Sequence, residues 1–325
     1  MERREFVLLA GAAAIWPFAA QSQQGKAPVR IGFLFFGSPT NAYDQSLVEA
    51  FRLGLKQIGL IENRDVVLDI VWISGNPDDA VKEAIRRGAE ILVPSGSSAS
   101  VAAKHYAGTT PIVIISVGNP VGMELVDNLS RPGRNVTGFS DMLGDLAGKL
   151  VEIAQDFAAG SRVIDYLWHT AWPDGHNRFR DTELAASNSG TRLRSRGIAS
   201  VAEIDDGIAS MKNNGASVLV VQPSPFTFLQ RRRLIESAAN QGLAMIFAFP
   251  IAAKEGALVA YGPDYVDLYR RAPLYVDRIL KGSRPADLPV EQPTKIQMVV
   301  NLKTARALGI DVPTLLMLRA DELIE

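Results

Sequence analysis

The chain has no cysteine in its 325 residues. That excludes disulfides, thiolate metal sites and a lipid anchor on an N-terminal cysteine. Histidine is also scarce: His105, His169 and His176 are scattered without the spacing that metal ligation requires, so neither a metal nor a cofactor is expected. Charge of one sign is lacking, with 34 Lys and Arg against 35 Asp and Glu. A nucleic-acid partner, which calls for a basic face, is therefore not expected. Beyond the N-terminus no apolar run reaches the length of about 20 residues that spans a bilayer. Ile112 to Val117 and Ser217 to Val221 are short, read as core strands, and leave no segment of the mature chain to insert in a membrane. Enzyme signatures are missing too. No G-x-S-x-G, P-loop or G-x-G-x-x-G stands at a strand-to-helix junction, so no catalytic residue is assigned and the chain is read as a non-enzyme.

What is present begins with an export signal. Met1-Glu2-Arg3-Arg4-Glu5-Phe6 leads into an apolar run that ends at Ala20. The run is too short to span a membrane, and Ala20-Gln21-Ser22 supplies the small residues of a cleavage site. Residues 1–22 are accordingly expected to be a signal peptide and the mature chain periplasmic. Arg3-Arg4 suits the twin-arginine route, although a basic start also suits general secretion.

From Val29 short β-branched runs alternate with amphipathic segments, the pattern of parallel sheets covered by helices on both faces. Strands are expected at Val29 to Phe35, Val66 to Ile73, Glu90 to Pro94, Ile112 to Ser116 and Asn135 to Phe139. The rhythm then restarts, with strands at Val163 to Trp168, Ala199 to Ile204, Val218 to Val221 and Met245 to Phe249. Helices are expected between them at His176 to Arg194, Ile208 to Asn214 and Phe226 to Gln241. A long helix, Tyr265 to Lys281, follows the second sheet. This predicts an α/β protein of two Rossmann-like lobes with parallel sheets. The first lobe is placed at residues 29–139 plus 263–288, the second at 140–262 plus 289–325.

Ligands of open α/β sheets bind beyond the carboxyl ends of the strands, which makes the loops after strands the candidate site. Ser95-Gly96-Ser97-Ser98-Ala99 offers hydroxyls and free helix N–H groups to an anion such as a carboxylate, beside its plainer role as an N-cap. In Ser116-Val117-Gly118-Asn119-Pro120-Val121, Asn119 can donate and accept hydrogen bonds, and turn chemistry explains the segment equally well. Gln222-Pro223-Ser224-Pro225 follows an apolar strand and opens a helix. Phe35, Phe36, Trp172, Phe249 and Tyr261 offer faces to an aromatic or apolar ligand, or fill the core.

Several segments together resemble the periplasmic substrate-binding components of ABC transporters of the tryptophan and tyrosine uptake type. They are Arg3-Arg4-Glu5-Phe6 with Trp16-Pro17, Asn119-Pro120-Val121, Arg131-Pro132-Gly133-Arg134-Asn135-Val136-Thr137-Gly138, Gly256 to Pro263, and Asp287 to Pro293 running into Asn301 to Ala305. The resemblance implies a type I periplasmic binding protein fold with a three-crossing hinge that closes around a small-molecule ligand. It also implies an ABC permease and ATPase in the inner membrane as partners. Ser97 and Ser98 match the loop that holds a ligand carboxylate, and Thr137 and Gly138 match the hinge-side strand. Asn119 stands where the family often has Asp, which removes a charge that would meet a ligand ammonium group. Trp168 to Pro173 also departs from the family's Asn-Pro-rich loop. The expected ligand-binding set is Phe36, Ser97, Ser98, Asn119, Thr137, Gly138, Trp172, Pro223, Phe249 and Tyr261, around an aromatic or carboxylate-bearing solute. A sensory binding protein or an α/β enzyme using Asp141 or Asp264 are the alternatives. A transcriptional regulator is disfavoured, because residues 1–28 hold no helix-turn-helix.

Overall fold

The computed structural model describes residues 27–325 except Ala159 and Pro173. The signal peptide read at residues 1–22 lies outside the described residues.

The first half alternates as far as β4: β1 (Val29–Phe36), α1 (Ala42–Gln57), β2 (Val66–Ile73), α2 (Pro77–Arg86), β3 (Ile91–Pro94), α3 (Ser97–Tyr106) and β4 (Ile112–Val117), after which β5 (Val136–Ser140) follows without a helix between. The second half runs α4 (Ala147–Asp156), β6 (Val163–His169), α5 (Gly175–Asn188), β7 (Arg192–Ile198), α6 (Ile204–Asn213), β8 (Val218–Val221), α7 (Pro225–Leu229), α8 (Arg231–Asn240), β9 (Ala244–Phe247), α9 (Pro250–Lys254) and β10 (Val259–Pro263). The chain closes with α10 (Tyr265–Arg271), α11 (Pro273–Leu280), β11 (Val290–Glu291), β12 (Ile296–Asn301), α12 (Leu302–Leu308), α13 (Thr314–Arg319) and β13 (Glu322–Ile324).

These strands build two sheets, one in the order β11-β5-β4-β3-β1-β2 and the other β13-β12-β10-β9-β8-β6-β7. Every pairing in the first is parallel, and the second departs only at β10 and β12, which run antiparallel. Central strands read as continuous apolar runs because helices cover both of their faces, as in Val29–Phe36 with its buried Ile31, Phe33, Leu34 and Phe35. Local signals set the helix starts. Asn41 accepts from the amides of Tyr43 and Asp44, and Asn76 caps a helix that begins with Pro77.

The chain passes between the sheets three times: after β5, after β10 and after β11. Helix α10 carries the second crossing back to the first lobe, where Tyr269 packs against the rings of Phe33 and Phe35 at 6.1 and 5.6 Å. Helix α11 follows it, and the Tyr275 hydroxyl donates to the Pro289 carbonyl at 2.7 Å. One apolar core accordingly runs through the crossings, from Phe33 and Phe51 to Phe249 and Val299.

Several expected boundaries move. A strand is found at Arg192–Ile198, overlapping the end of the expected helix at Arg192 to Arg194 and ahead of the expected strand at Ala199 to Ile204, which instead holds a single 3-10 turn and the start of α6. β7 is a sheet edge whose alternate residues are arginines, and Arg194 pairs with Asp165 of β6 at 2.8 Å. Charge alternation on a half-exposed edge carries no hydrophobic signal to read. The long helix at Tyr265 to Lys281 is two, broken where Pro273 cannot continue the backbone ladder. The expected helix Phe226 to Gln241 is likewise α7 and α8. The second sheet is not complete at Phe249, since β10, β12 and β13 extend it. Val290–Glu291, expected in the second lobe, pairs with Gly138 and Phe139 in the first sheet.

Candidate functional site

Between the two sheets lies a cavity of about 690 Å³, counting its open mouth. Its walls come from the carboxyl ends of strands of both sheets and the loops that follow them: Phe35 and Phe36 at the end of β1, Ser95 to Ser97 after β3, Ser116 and Gly118 at β4, Trp172 after β6, Pro223 to Pro225 after β8 and Phe249 after β9. Parallel strands aim these ends at one place, so a sheet's architecture becomes a site. The hinge contributes its floor through Asp141, Leu143, Tyr265 and Tyr269.

Most of this surface is apolar and aromatic, so its few polar groups stand out. Asp141 is 3% exposed. Its Oδ2 accepts from the Ser116 hydroxyl at 2.9 Å and its Oδ1 from the Leu143 amide at 3.1 Å. Burial raises its pKa from the usual carboxylate value; the Leu143 amide, the positive charge of Arg178 and the Ser116 hydroxyl oppose the rise. Ser116 at φ 62° and Met142 at φ 56° bracket this carboxylate with left-handed backbone, local strain of the kind that collects at functional sites. Tyr265 lines the same floor with a buried hydroxyl that has no hydrogen-bond partner among the described residues. Burial, then the charge of Asp141, holds that phenol well above its ordinary pKa, so it stays a neutral donor. Tyr269 shares a hydrogen bond with the Ser95 hydroxyl.

Arg178 reaches into the cavity from α5. Its Nε bonds the Asp174 carboxylate at 2.9 Å, and its side chain is 7% exposed. The Nη atoms lie against two glycines: a Cβ at Gly118 would stand 2.1 Å from Nη2, and one at Gly144 would stand 2.3 Å from Nη1. The same hypothetical atom at Gly118 is 3.3 Å from Asp141 Oδ1, so a cation and an anion flank one small-residue gap. The first turn of α3 faces the cavity as well. Its N-cap, Gly96 at φ 82°, supplies no side chain, and the amides ahead of Ser100 have no intrahelical acceptor.

Five of the ten residues singled out from sequence, Phe36, Ser97, Trp172, Pro223 and Phe249, line this cavity. The other five do not. Ser98 turns to an outer groove with His105 and Asn177. Asn119 sits on the hinge-side groove, where its Oδ1 closes a turn by accepting from the Gly122 amide at 2.8 Å. Thr137 is fully buried, its hydroxyl given to the Leu288 carbonyl at 2.8 Å. Gly138 is pressed against the backbone of Ile114, and Tyr261 packs on the core of the second lobe. Asp264, weighed as an enzyme carboxylate, caps α10 instead.

The family model for ABC transporter substrate binding proteins matches residues 42–324. The chain belongs to this family. A relative within reach is a tyrosine-binding protein of Clostridioides difficile, 26% identical over 221 residues, which are 68% of this chain and 62% of that protein. The chain thus spans under two thirds of that relative's length. Among solved structures, a conserved domain protein from Vibrio cholerae superposes with a TM-score of 0.82 at 22% identity, covering 92% of this chain and all of the other. An ABC domain from Streptococcus pneumonia in complex with L-Trp gives 0.80 at 22% identity, covering 91% and 100%. These likenesses establish the two-lobed α/β fold. The family is one of binding proteins rather than enzymes, and among the described residues no helix is long and apolar enough to cross a membrane.

Sequence reasoning alone passed over several residues that this substrate-binding protein brings to its cavity, Arg178, Tyr265, Tyr269 and Phe228 among them, and within the candidate loop at Ser116 it singled out Asn119 instead of Ser116. Asp141 carried a signal, since it follows the Thr137-Gly138 run by three residues at a strand's carboxyl end. Arg178 carried none, being one of several polar residues on a helix. Tyr265 and Tyr269 sit one helical turn apart, a spacing that does not tell a core face from a cavity face, and their place at the cavity depends on the crossing of α10 between lobes.

Proposed function

We propose that the chain is the periplasmic solute-binding component of an ABC importer, and that it captures an aromatic amino acid between its lobes. It would pass this ligand unaltered to a permease and ATPase in the inner membrane. The observation that carries the reading is a buried carboxylate, Asp141, beside the unpartnered Tyr265 hydroxyl on the floor of an otherwise aromatic cavity. An ammonium group fits there, because a buried charge needs a hydrogen-bonded counter-charge. The ligand carboxylate is placed at the first turn of α3 with Ser97, and Arg178 supplies a second cationic contact. Phe36, Trp172, Phe228 and Phe249 would hold the apolar side chain. The names of the tyrosine-binding relative and the L-Trp complex support this ligand class. Asn119 does not argue against it, since that side chain closes a turn outside the cavity.

A thermal-shift panel on the mature chain tests the reading. Aromatic amino acids are expected to raise Tm in proportion to the logarithm of their concentration, because they bind the native state alone. No shift from any of them would sink the assignment. Two further outcomes follow from the geometry. Ser97→Ala is expected to weaken binding by roughly 10-fold to 150-fold, the range for one lost hydrogen bond to a charged group, whereas Ser98→Ala leaves it unchanged; titration calorimetry separates the two. The second outcome concerns pH. Burial raises the Asp141 pKa above 3.8, so in the free chain this carboxyl takes up a proton at a higher pH than an ordinary aspartate. An ammonium ligand needs it ionised, so affinity falls as pH drops through that raised value and binding there releases a proton. Calorimetry in buffers of different ionisation heat measures the release.

A further inference from the structure

A second set of contacts joins the lobes beside the cavity. Tyr43 stands in the first turn of α1, on the first lobe, and Arg231 opens α8, on the second. Arg231 is 3% exposed. Its Nε and Nη2 bond the two oxygens of Glu255 at 2.7 and 3.1 Å, and its Nη1 bonds the Phe228 carbonyl at 2.9 Å. Those bonds fix the guanidinium over the ring of Phe228, 4.6 Å from its centroid, and within 5.7 Å of the ring of Tyr43. The two rings lie 6.3 Å apart, centroid to centroid, across the gap between lobes. Asp44 adds a carboxylate on the Tyr43 side. It is 3% exposed; burial raises its pKa, and the Ser38 amide and the charge of Arg231 oppose that rise. Phe228 lines the cavity, while Tyr43 and Arg231 are not part of its wall.

We infer that Tyr43 and Arg231 form a latch between the lobes, a pair of positioning residues that holds the cleft closed and sets ligand affinity without touching the ligand. Hinge opening has to pull Tyr43 away from Phe228 and Arg231, wetting two ring faces that a desolvated guanidinium now covers. Nothing else in the pair compensates: Glu255 and Phe228 move with Arg231 on the same lobe. The latch therefore favours the closed arrangement before any ligand arrives, and apparent affinity scales with the fraction of chains already closed. Its position also couples the latch to the site, because the same guanidinium orients the Phe228 wall.

The absence of cysteine makes the test direct. Spin labels on Val121→Cys and Leu184→Cys, both exposed and on opposite lobes at the hinge-side groove, report the interlobe distance in the ligand-free chain. In Tyr43→Ala the population at the parent's distance is expected to fall about tenfold relative to the open one, and the affinity for L-tryptophan to fall by a similar factor through faster dissociation. Tyr43→Phe, which keeps the ring, should match the parent in both. Circular dichroism and Tm of Tyr43→Ala show that the lobes remain folded; Tyr43→Leu replaces it if they do not. Identical ligand-free distance distributions in the parent and the ring-less variant overturn the latch. The distances require no ligand, so this inference, which rests only on closure of the cleft, fails separately from the ligand assignment.

Discussion

Asp141→Asn is expected to weaken binding of an aromatic amino acid by about 2–5 kcal/mol, a loss of roughly 30-fold or more, the range for removing one member of a buried charge pair. Asparagine keeps the shape of the side chain and its hydrogen bond from the Leu143 amide, so the loss reports the charge rather than the packing. Two comparisons sharpen the result. A deaminated analogue, which has the ring and the carboxylate but no ammonium group, should bind the parent and the variant about equally. Stability should move the other way. A carboxyl whose pKa is raised in the folded chain destabilises it wherever the group is ionised, so the ligand-free variant should melt no lower than the parent at neutral pH. Calorimetry and a melting curve on the same two proteins read both signs. A variant that binds the amino acid as the parent does would place the ligand ammonium elsewhere.

The second large effect is on folding. Gly138→Ala should cost about 3 kcal/mol or more, combining a left-handed backbone position with overpacking. Gly138 has φ 127°, and a Cβ there would stand 2.1 Å from the Ile114 carbonyl oxygen and 2.7 Å from the Ile114 nitrogen. Both are backbone atoms of the neighbouring strand, so no rotamer change relieves the clash. Gly138 is the register partner of Ile114, and the ladder between β4 and β5 shifts directly after that pair. Denaturant unfolding measures the loss as a fall in midpoint with little change in slope. The folded fraction of this variant should still bind ligand, since Gly138 supports the hinge and does not face the cavity.

These two residues mark what sequence patterns carry and what they leave out. Gly138 and Thr137 stood out in the sequence, and the structure places both in the hinge strand, one as a close approach of backbones and the other as a buried tie to Leu288. Singular residue types at a strand end flag constraint, and constraint is as often structural as chemical. The central parallel strands were legible because burial on both faces writes an unbroken apolar run. The arginine-bearing edge strand β7 and the short β11 were not, because one is polar by alternation and the other holds two residues. The candidate site followed the same division. Loops after strands predicted Phe36, Ser97, Trp172, Pro223 and Phe249 in one cavity, as a topological rule allows. Arg178 and Tyr265 come from helices whose cavity-facing sides depend on how the lobes meet, a relation between segments far apart in the chain.

The latch and the site make a single physical picture. Aromatic contacts at Tyr43 and Phe228 bias the lobes toward closure, and the polar floor at Asp141 and Tyr265, built on two of the three crossings, supplies the differential affinity that a ligand needs to complete it. A ligand whose charge is met at the hinge itself binds both lobes through the segments that must move least.

A crystal structure of the mature chain grown with L-tryptophan tests the central claim most directly. The account predicts the amino acid between the lobes, its ammonium nitrogen about 2.7–2.9 Å from Asp141, its carboxylate at the first turn of α3 and its ring among Phe36, Trp172, Phe228 and Phe249. A ligand bound outside this cavity, or bound inside it with its ammonium group away from Asp141, would contradict the account.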